Sequence, residues 1–353
     1  MSTPEVRERL FSLLEYAPAS VVYALHAPYW VWLSLRHGSV TLPAIANPTM
    51  LMGGLCGESK HDLFELVGAR ARPYFAPFIT FRADTPLPEI LARTKEAGLA
   101  FPLVAKPDIG RNGRGVKIIA NEHGVVPYLS TFPKEARMSL QRYIQEEGEA
   151  GVFYVRKPSE ARGRITSLTL KYFPHVVGDG HSTLRELIEA DPRAARIKHI
   201  YFRRNQHSLD TIIPAGQSRR LVSVGNHVRG ARFEDGAPHI TRAMTDVFDR
   251  IAKDIRGFHF GRFDVRFANL DDLKRGEKFT ILEYNGASSE PTHVWDRHTG
   301  IVKTYRDMLA HWRYAFEIGA EQRRLGIRPV SAAEILRVRR MECDLIEQYP
   351  DEE

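Results

Sequence analysis

Two runs in the second half of the chain, GRFDVRF from Gly261 and FTILEYN from Phe279, alternate apolar and polar residues. Alternation at a period of two predicts strands, with every second side chain on one face. Arg262 and Asp264 then share a face, and so do Glu283 and Asn285. The interval NLDDLKRGEK reads as a connection, so the two runs are expected to pair as an antiparallel hairpin. Residues 77–81, LVAK, VKII, SLQRYI, GVFYV and RITSLTLKYF are also expected to be strands.

A period near 3.6 marks the helices. ESKHDLFELVG is expected to be helical up to Gly68, and residues 86–97 form a helix closed by Gly98. Met244, Val247, Phe248, Ile251 and Ile255 make 241–256 an amphipathic helix. STLRELI is expected to start a helix at Ser182, with Arg185 an imperfect capping-box partner. In the tail, 303–318 reads as a helix closed by Gly319, and a second helix begins at Ser331 with Glu334 completing its box. VRERLFSLLEY, near the start, is a short helical pattern. Val21 to Leu35 is apolar but too short to span a bilayer and contains His26 and Pro28, so it is expected to be buried or interfacial.

Composition narrows the class. The chain has 353 residues, is 43% hydrophobic and 26% charged, and holds two cysteines, Cys56 and Cys343. That is ordinary for a globular protein and implies no disulfide framework. Residues 1–10 are charged rather than apolar, so no secretory signal is expected and the cytoplasm is the expected compartment. The net charge of +7 is interleaved with acids rather than gathered in a stripe. Phosphate and carboxylate ligands are therefore expected, with no nucleic acid and no membrane span.

Two stretches carry chemistry. If the hairpin forms, Asp264, Glu283 and Asn285 converge as a hard oxygen set suited to Mg²⁺ shared with substrate phosphates, with Arg262 beside them. The bland alternative is a charged solvent face. In FPLVAKPDIGRNGRGVKII, Lys106 ends a buried strand before a loop containing Gly110, Arg111, Asn112, Gly113 and Gly115. Such a loop can fold its amides over phosphates without Cβ clashes. It runs strand to strand, so it is neither a P-loop nor a dinucleotide fingerprint.

RFDV followed by ILEYN resembles the metal-binding end of the ATP-grasp superfamily, the carboxylate–amine ligases that include the D-alanine–D-alanine ligases. VVGDG-x-STLRELI is similar to a segment of cyanophycin synthetases and of bifunctional glutathione-forming ligases. The likeness covers roughly residues 58–320 by motif order. It implies an α+β ATP-grasp fold whose two subdomains grip ATP. The expected division is a reduced N-terminal region 1–57, a central subdomain 58–143, a C-terminal subdomain 144–320 and a helical tail 321–353.

The resemblance also implies roles. Lys60 and Lys106 would contact ATP phosphates under the glycine loop. Gln141, Arg142, Tyr143 and Ile144 would form the adenine hinge. Glu149 would hold the ribose, with Glu147 and Glu146 as competitors. Asp264, Glu283 and Asn285 would bind Mg²⁺, with Mn²⁺ the alternative ion. Lys171 would contact substrate or phosphate, and Arg262 would stabilise an oxyanion. His227 would be a base or a substrate contact. By their capacity for bidentate pairing, Arg156, Arg162 and Arg164 are candidates for gripping an acceptor carboxylate, the alternative being exposed sheet-edge charge. The expected activity is ATP-dependent ligation of a small carboxylate, an amino acid or peptide, to an amine through an acyl phosphate. The competing expectation is a catalytically silent ATP-binding regulatory protein. A homodimer is compatible with either.

Overall fold

The computed structural model describes residues 10–350 except 13, 16, 223, 224 and 226–229. Of the helix expected over 6–16, the described residues form bends and turns instead. Two helices follow, α1 (Ala19–Val22) and α2 (His26–His37), then 3₁₀ turns at Leu42–Ile45 and Leu51–Gly54. Asn47 fastens this region to the rest of the chain. Its side-chain amide donates to the carbonyls of Gly53 and Phe260, and its oxygen accepts from the backbone N–H groups of His259 and Phe260. Helix α3 (Lys60–Glu65) is shorter than the sequence pattern suggests. Ser59 caps it by accepting from Asp62 N, and the chain turns at Leu66.

The first layer comprises β1 (Phe78–Arg82), α4 (Leu87–Glu96), β2 (Leu103–Pro107), β3 (Lys117–Ile119), α5 (Val125–Leu129) and β4 (Arg137–Arg142). Its strands pair antiparallel in the order β1-β4-β2-β3. Ile90, Leu103 and Met138 are fully buried in its core.

The second layer contains β5 (Gly148–Val155), β6 (Arg164–Tyr172), β7 (His175–Val177), α6 (Leu184–Ala190), α7 (Lys198–Arg204), β8 (Ser218–Arg220), β9 (Arg232–Asp235), α8 (Arg242–Lys253), β10 (Phe260–Phe267), α9 (Leu270–Arg275) and β11 (Phe279–Asn285). Five strands pair antiparallel in the order β11-β10-β5-β6-β9. The expected hairpin is β10–β11, and its connection folds as α9 rather than staying irregular. On β10, Phe263 and Val265 point into the core beneath α8, alongside Met244 and Phe248. Arg262, Asp264 and Arg266 alternate with them and take the other face. Strands β7 and β8 form a separate ribbon, with Leu184, Ile188 and Tyr201 in a small core of their own.

Two helix boundaries differ from expectation. Thr183, not Ser182, caps α6, because Glu186 closes a true capping box with it. Helix α10 (Ile301–Arg324) runs straight through Gly319. A Cβ there would come within 2.2 Å of the Leu42 carbonyl oxygen, so this glycine permits close packing on the N-terminal region rather than stopping a helix. The last helix, α11 (Ala332–Glu347), begins at the expected Ser331–Glu334 box. With helices segregated around antiparallel sheets, the chain is α+β.

Candidate active site

A cleft of about 800 Å³ lies between the two layers. The five-stranded sheet forms its floor. In the register, Asp264 lies opposite Glu283, and Arg262 opposite Asn285. On the other side of β10, Asp264 lies opposite Gly151 and Arg266 opposite Glu149, and Glu149 in turn faces Lys171. A Cβ on Gly151 would reach to 3.0 Å from Arg262 Cδ and 3.5 Å from Asp264 Oδ1, so glycine leaves room for that ion pair.

The floor is a chain of alternating charges. Arg262 donates from Nε and Nη2 to the two Asp264 oxygens, each at 3.0 Å. Lys171 Nζ donates to Asp264 Oδ1 and to Glu149 Oε1, each at 2.9 Å. Arg266 Nη2 completes the row, 3.0 Å from Glu149 Oε2. Burial alone would raise the Asp264 pKa, but Arg262 and Lys171 outweigh it and hold the carboxyl well below its usual range. The Arg262 guanidinium also reaches the Glu290 backbone carbonyl at 3.2 Å.

The four-stranded sheet supplies the opposite wall. Lys106 ends β2, buried, with Nζ donating to Gln141 Oε1 at 2.9 Å and lying 3.8 Å from Glu283 Oε2. Burial lowers its pKa to about 8 despite the pull of Glu283. Lys60 Nζ donates to the carbonyls of Pro107 and Asp108 at 3.2 and 3.0 Å, beside Lys106. The Gln141 side chain also donates to Leu282 O at 3.0 Å, tying the two sheets together. Gln141 therefore holds Lys106 with its side chain, while Tyr143 and Ile144 line the cleft beyond the strand end.

The glycine loop is tied down rather than free. Asn112, Gly113 and Gly115 all have positive φ, which shapes its tight turns. Arg111 makes two 2.9 Å hydrogen bonds to the Glu342 carboxylate on α11. Arg114 donates to the carbonyls of Glu347 and Tyr349. Tyr349 is itself buried against Phe132.

The remaining sequence candidates fall as follows. Glu149 lies deep in the floor between two cations, whereas Glu146 and Glu147 are exposed at the strand entry. Arg162 pairs with Asp246 and Arg164 with Glu160. Neither they nor Arg156 line the cleft, because they lie at the end of β5 and β6 away from Glu149 and Lys171. His227 lies outside the described residues; Gly225 lines the cleft against Glu149. The motifs did not point to Glu58. It accepts from Gly286 N at 2.6 Å and from Ser288 Oγ at 3.1 Å, and so fixes the exit of β11. Burial pushes its pKa up to about 7. Its only signal in the sequence is its place just before Ser59 and Lys60.

The floor suits a divalent cation by donor type. Among the described residues, no three His, Cys, Asp or Glu side chains gather into a metal site. The set here is two carboxylates and an amide. A carboxylate offers about four lone-pair positions, and Asp264 has committed three. Glu283 faces Lys106 at more than hydrogen-bond distance. Asn285 Nδ2 is buried without a hydrogen-bond partner, so exchanging the places of the amide's nitrogen and oxygen breaks no bond made by that nitrogen. These residues fit a hard cation such as Mg²⁺, held chiefly by Glu283 and Asn285.

No family model matches the chain. Over 213 residues it is 25% identical to the cyanophycin synthetase of a Synechocystis species, covering 55% of this chain and 24% of that protein. The cyanophycin synthetase of Trichormus variabilis matches at 24% over 213 residues, covering 55% and 23%. The chain thus spans about a quarter of the length of the curated relatives it matches. Among solved structures, the D-alanine–D-alanine ligase of Bacillus anthracis aligns over 79% of this chain and 72% of its own, at 12% identity and a TM-score of 0.41. The bifunctional glutathione synthetase of Pasteurella multocida aligns over 74% and 38%, at 14% identity and a TM-score of 0.37. The chain is thus similar in sequence to cyanophycin synthetases over 213 residues, and its paired antiparallel sheets enclose one cleft.

Proposed function

We propose that the protein is an ATP-dependent carboxylate–amine ligase that joins a small carboxylate to an amine through an acyl phosphate, releasing ADP and phosphate. One observation carries this reading. Two cations, Lys106 on the four-stranded sheet and Lys60 at the start of α3, meet an acid–amide set on the five-stranded sheet, Asp264, Glu283 and Asn285, beneath a glycine loop.

In this reading the γ-phosphoryl group of ATP passes to the substrate carboxylate between the two sheets. Lys106 and Lys60 neutralise charge on the phosphoryl oxygens as it spreads during transfer. Glu283, Asn285 and Asp264 would hold Mg²⁺, which would supply charge neutralisation for the phosphates. Arg262, fixed in orientation by Asp264, presents its guanidinium to the oxyanion that forms when the amine attacks the acyl carbon. Lys171 holds Asp264 and Glu149 in register. The glycine loop, held by α11, covers the site and limits attack by water.

Phosphate release with Mg·ATP, screened against single acids and amines with products identified by mass spectrometry, tests this reading. Release that requires both substrates supports ligation. ATP binding with no substrate-dependent release would favour a silent nucleotide-binding protein.

A further inference from the structure

From residue 16 to residue 57 the sequence contains no Asp or Glu, and Arg36 is its single Lys or Arg. Helix α2 sits in this stretch. Its inner side is conventional. Leu33 is fully buried, and the Trp30 ring lies 4.7 Å from Trp312 and 5.0 Å from Phe316, both on α10.

Its outer side is not. Val31, Trp32 and Leu35 are 57, 48 and 79% exposed. Leu25, Trp32 and Leu35 follow the spacing of one helix face, and Leu25 is also exposed. The outer side of a surface helix normally carries charge. Here the neighbouring hydroxyl, Ser34 Oγ, turns back to the Trp30 carbonyl at 2.7 Å.

Helix α10 lies alongside and frames this face. Tyr305 OH donates to the Val21 carbonyl at 3.3 Å at one end, and Arg323 Nη2 donates to the His37 carbonyl at 2.7 Å at the other. Val302, one turn before Tyr305, is 84% exposed. Arg36 lies over the Trp32 ring at 5.5 Å. Arg36, Arg323 and Arg324 all act on His37. The one acid acting there, Glu317, is paired with Lys157 at 2.7 Å. An apolar, aromatic face with arginines at one end suits a helix lying in the surface of an anionic bilayer.

We propose that α2 is a membrane-docking helix. Val31, Trp32 and Leu35 enter the lipid surface of an anionic phospholipid bilayer, while Arg36, Arg323 and Arg324 meet its headgroups. No helix among the described residues is long and apolar enough to cross a membrane. A second copy of the chain is the competing occupant. Two-fold pairing through this face would gather the arginine cluster of each copy onto a surface whose nearby acid, Glu317, is already paired with Lys157. Phosphate headgroups neutralise the same cluster. Val22 and Tyr23, just ahead of α2, line the cleft, so docking brings that wall of the cleft to the bilayer. The inference stands apart from the ligase reading, since it rests on surface chemistry alone.

The test is co-sedimentation of the full chain with vesicles of phosphatidylcholine and phosphatidylglycerol in equal parts, against phosphatidylcholine alone. The expected result is salt-sensitive binding to the anionic vesicles, with a blue shift in tryptophan emission that W32F removes. L35D and W32S should each weaken partitioning by about tenfold or more, and R324E should reduce its salt sensitivity. These sites are exposed, and circular dichroism confirms that each variant remains folded. Absence from the anionic vesicles, or equal binding to both vesicle types, overturns the proposal. So does a lipid-free dimer that L35D dissociates, because that gives the face to a second copy.

Discussion

Lys106 Nζ, on the four-stranded sheet, lies 3.8 Å from Glu283 Oε2, on the five-stranded sheet. The two residues belong to different layers and line the same cleft, Lys106 buried and Glu283 half-buried. Each moves the other's titration. Glu283 keeps Lys106 from falling further than about 8, while Lys106, together with Lys60, overcomes burial and holds Glu283 below its ordinary value. In the proposed reading the nucleotide phosphates lie beside this pair.

Removing the negative partner should separate metal binding from folding. Glu283→Gln keeps the volume and leaves the apolar side of β11 untouched, including Ile281 and Tyr284. It deletes the carboxylate with the most open lone pairs. Mg²⁺-dependent phosphate release should fall by about a hundredfold or more, with little change in melting temperature. Wild-type turnover and an unchanged Mg²⁺ requirement in this variant would remove Glu283 from the metal set.

In the proposed reading, Lys106 should make nucleotide affinity fall as pH rises. Burial lowers its pKa to about 8, so the free protein loses this cation as pH rises through that value. Phosphate beside it favours the protonated form, so ATP binding takes up a proton above about pH 8 and weakens as pH rises further. The same depression means that the unfolded chain binds more protons between about 8 and the ordinary lysine value. This group's effect on stability therefore turns more favourable across that window. Titration calorimetry with an ATP analogue from pH 7 to 9.5 (chosen to straddle about 8) should show the loss of affinity, and Lys106→Arg should abolish the pH trend. A flat profile in the wild type would place the phosphates elsewhere.

Some of this was readable in the chain and some was not. Period-two alternation in GRFDVRF and FTILEYN already implies a hairpin with Asp264 and Glu283 on one face, because a strand leaves its side chains only two directions. Lys106 stands out as a cation at the end of a buried strand. Contacts between distant segments leave no local pattern. Arg111 and Glu342 are 231 positions apart, so nothing local in the sequence announces that the glycine loop is fastened to α11. Gly319 reads as a helix stop because the neighbour that needs its missing Cβ is Leu42, far earlier in the chain. Glu149 sits in a Glu-rich segment that looks solvated until β6 and β10 bring Lys171 and Arg266 to it.

The fastening of the loop predicts its dynamics. Glu342→Gln removes the charge that holds Arg111, while leaving α11 packed through Leu345 and Ile346. Amide exchange of residues 110–115 should quicken by about tenfold without nucleotide, and an Mg·ATP analogue should restore part of the protection. Exchange equal to wild type would mean that Arg114 and its carbonyl partners alone hold the loop.

The positions of the cations also predict where ATP is cut. Lys106 and Lys60 lie together at the end of β2 beside the glycine loop, and Glu283 faces them from β11. A cluster of positive charge and metal-ligating oxygen under one loop stabilises charge at one end of a triphosphate. In the proposed reading that end is the distal one, with Tyr143 and Ile144 on the wall where the base would lie. Transfer of the γ-phosphoryl group needs electrophilic help at the β- and γ-phosphates, whereas adenylation needs it at the α-phosphate. Substrate-dependent turnover should therefore yield ADP and inorganic phosphate. Hydroxylamine added in place of the amine should trap the activated acid as a hydroxamate. Lys106→Ala should suppress both signals together, since the lysine acts before the amine arrives. AMP and pyrophosphate as products would show that the distal phosphates do not lie where Lys106 and Lys60 converge, and would overturn the acyl-phosphate route.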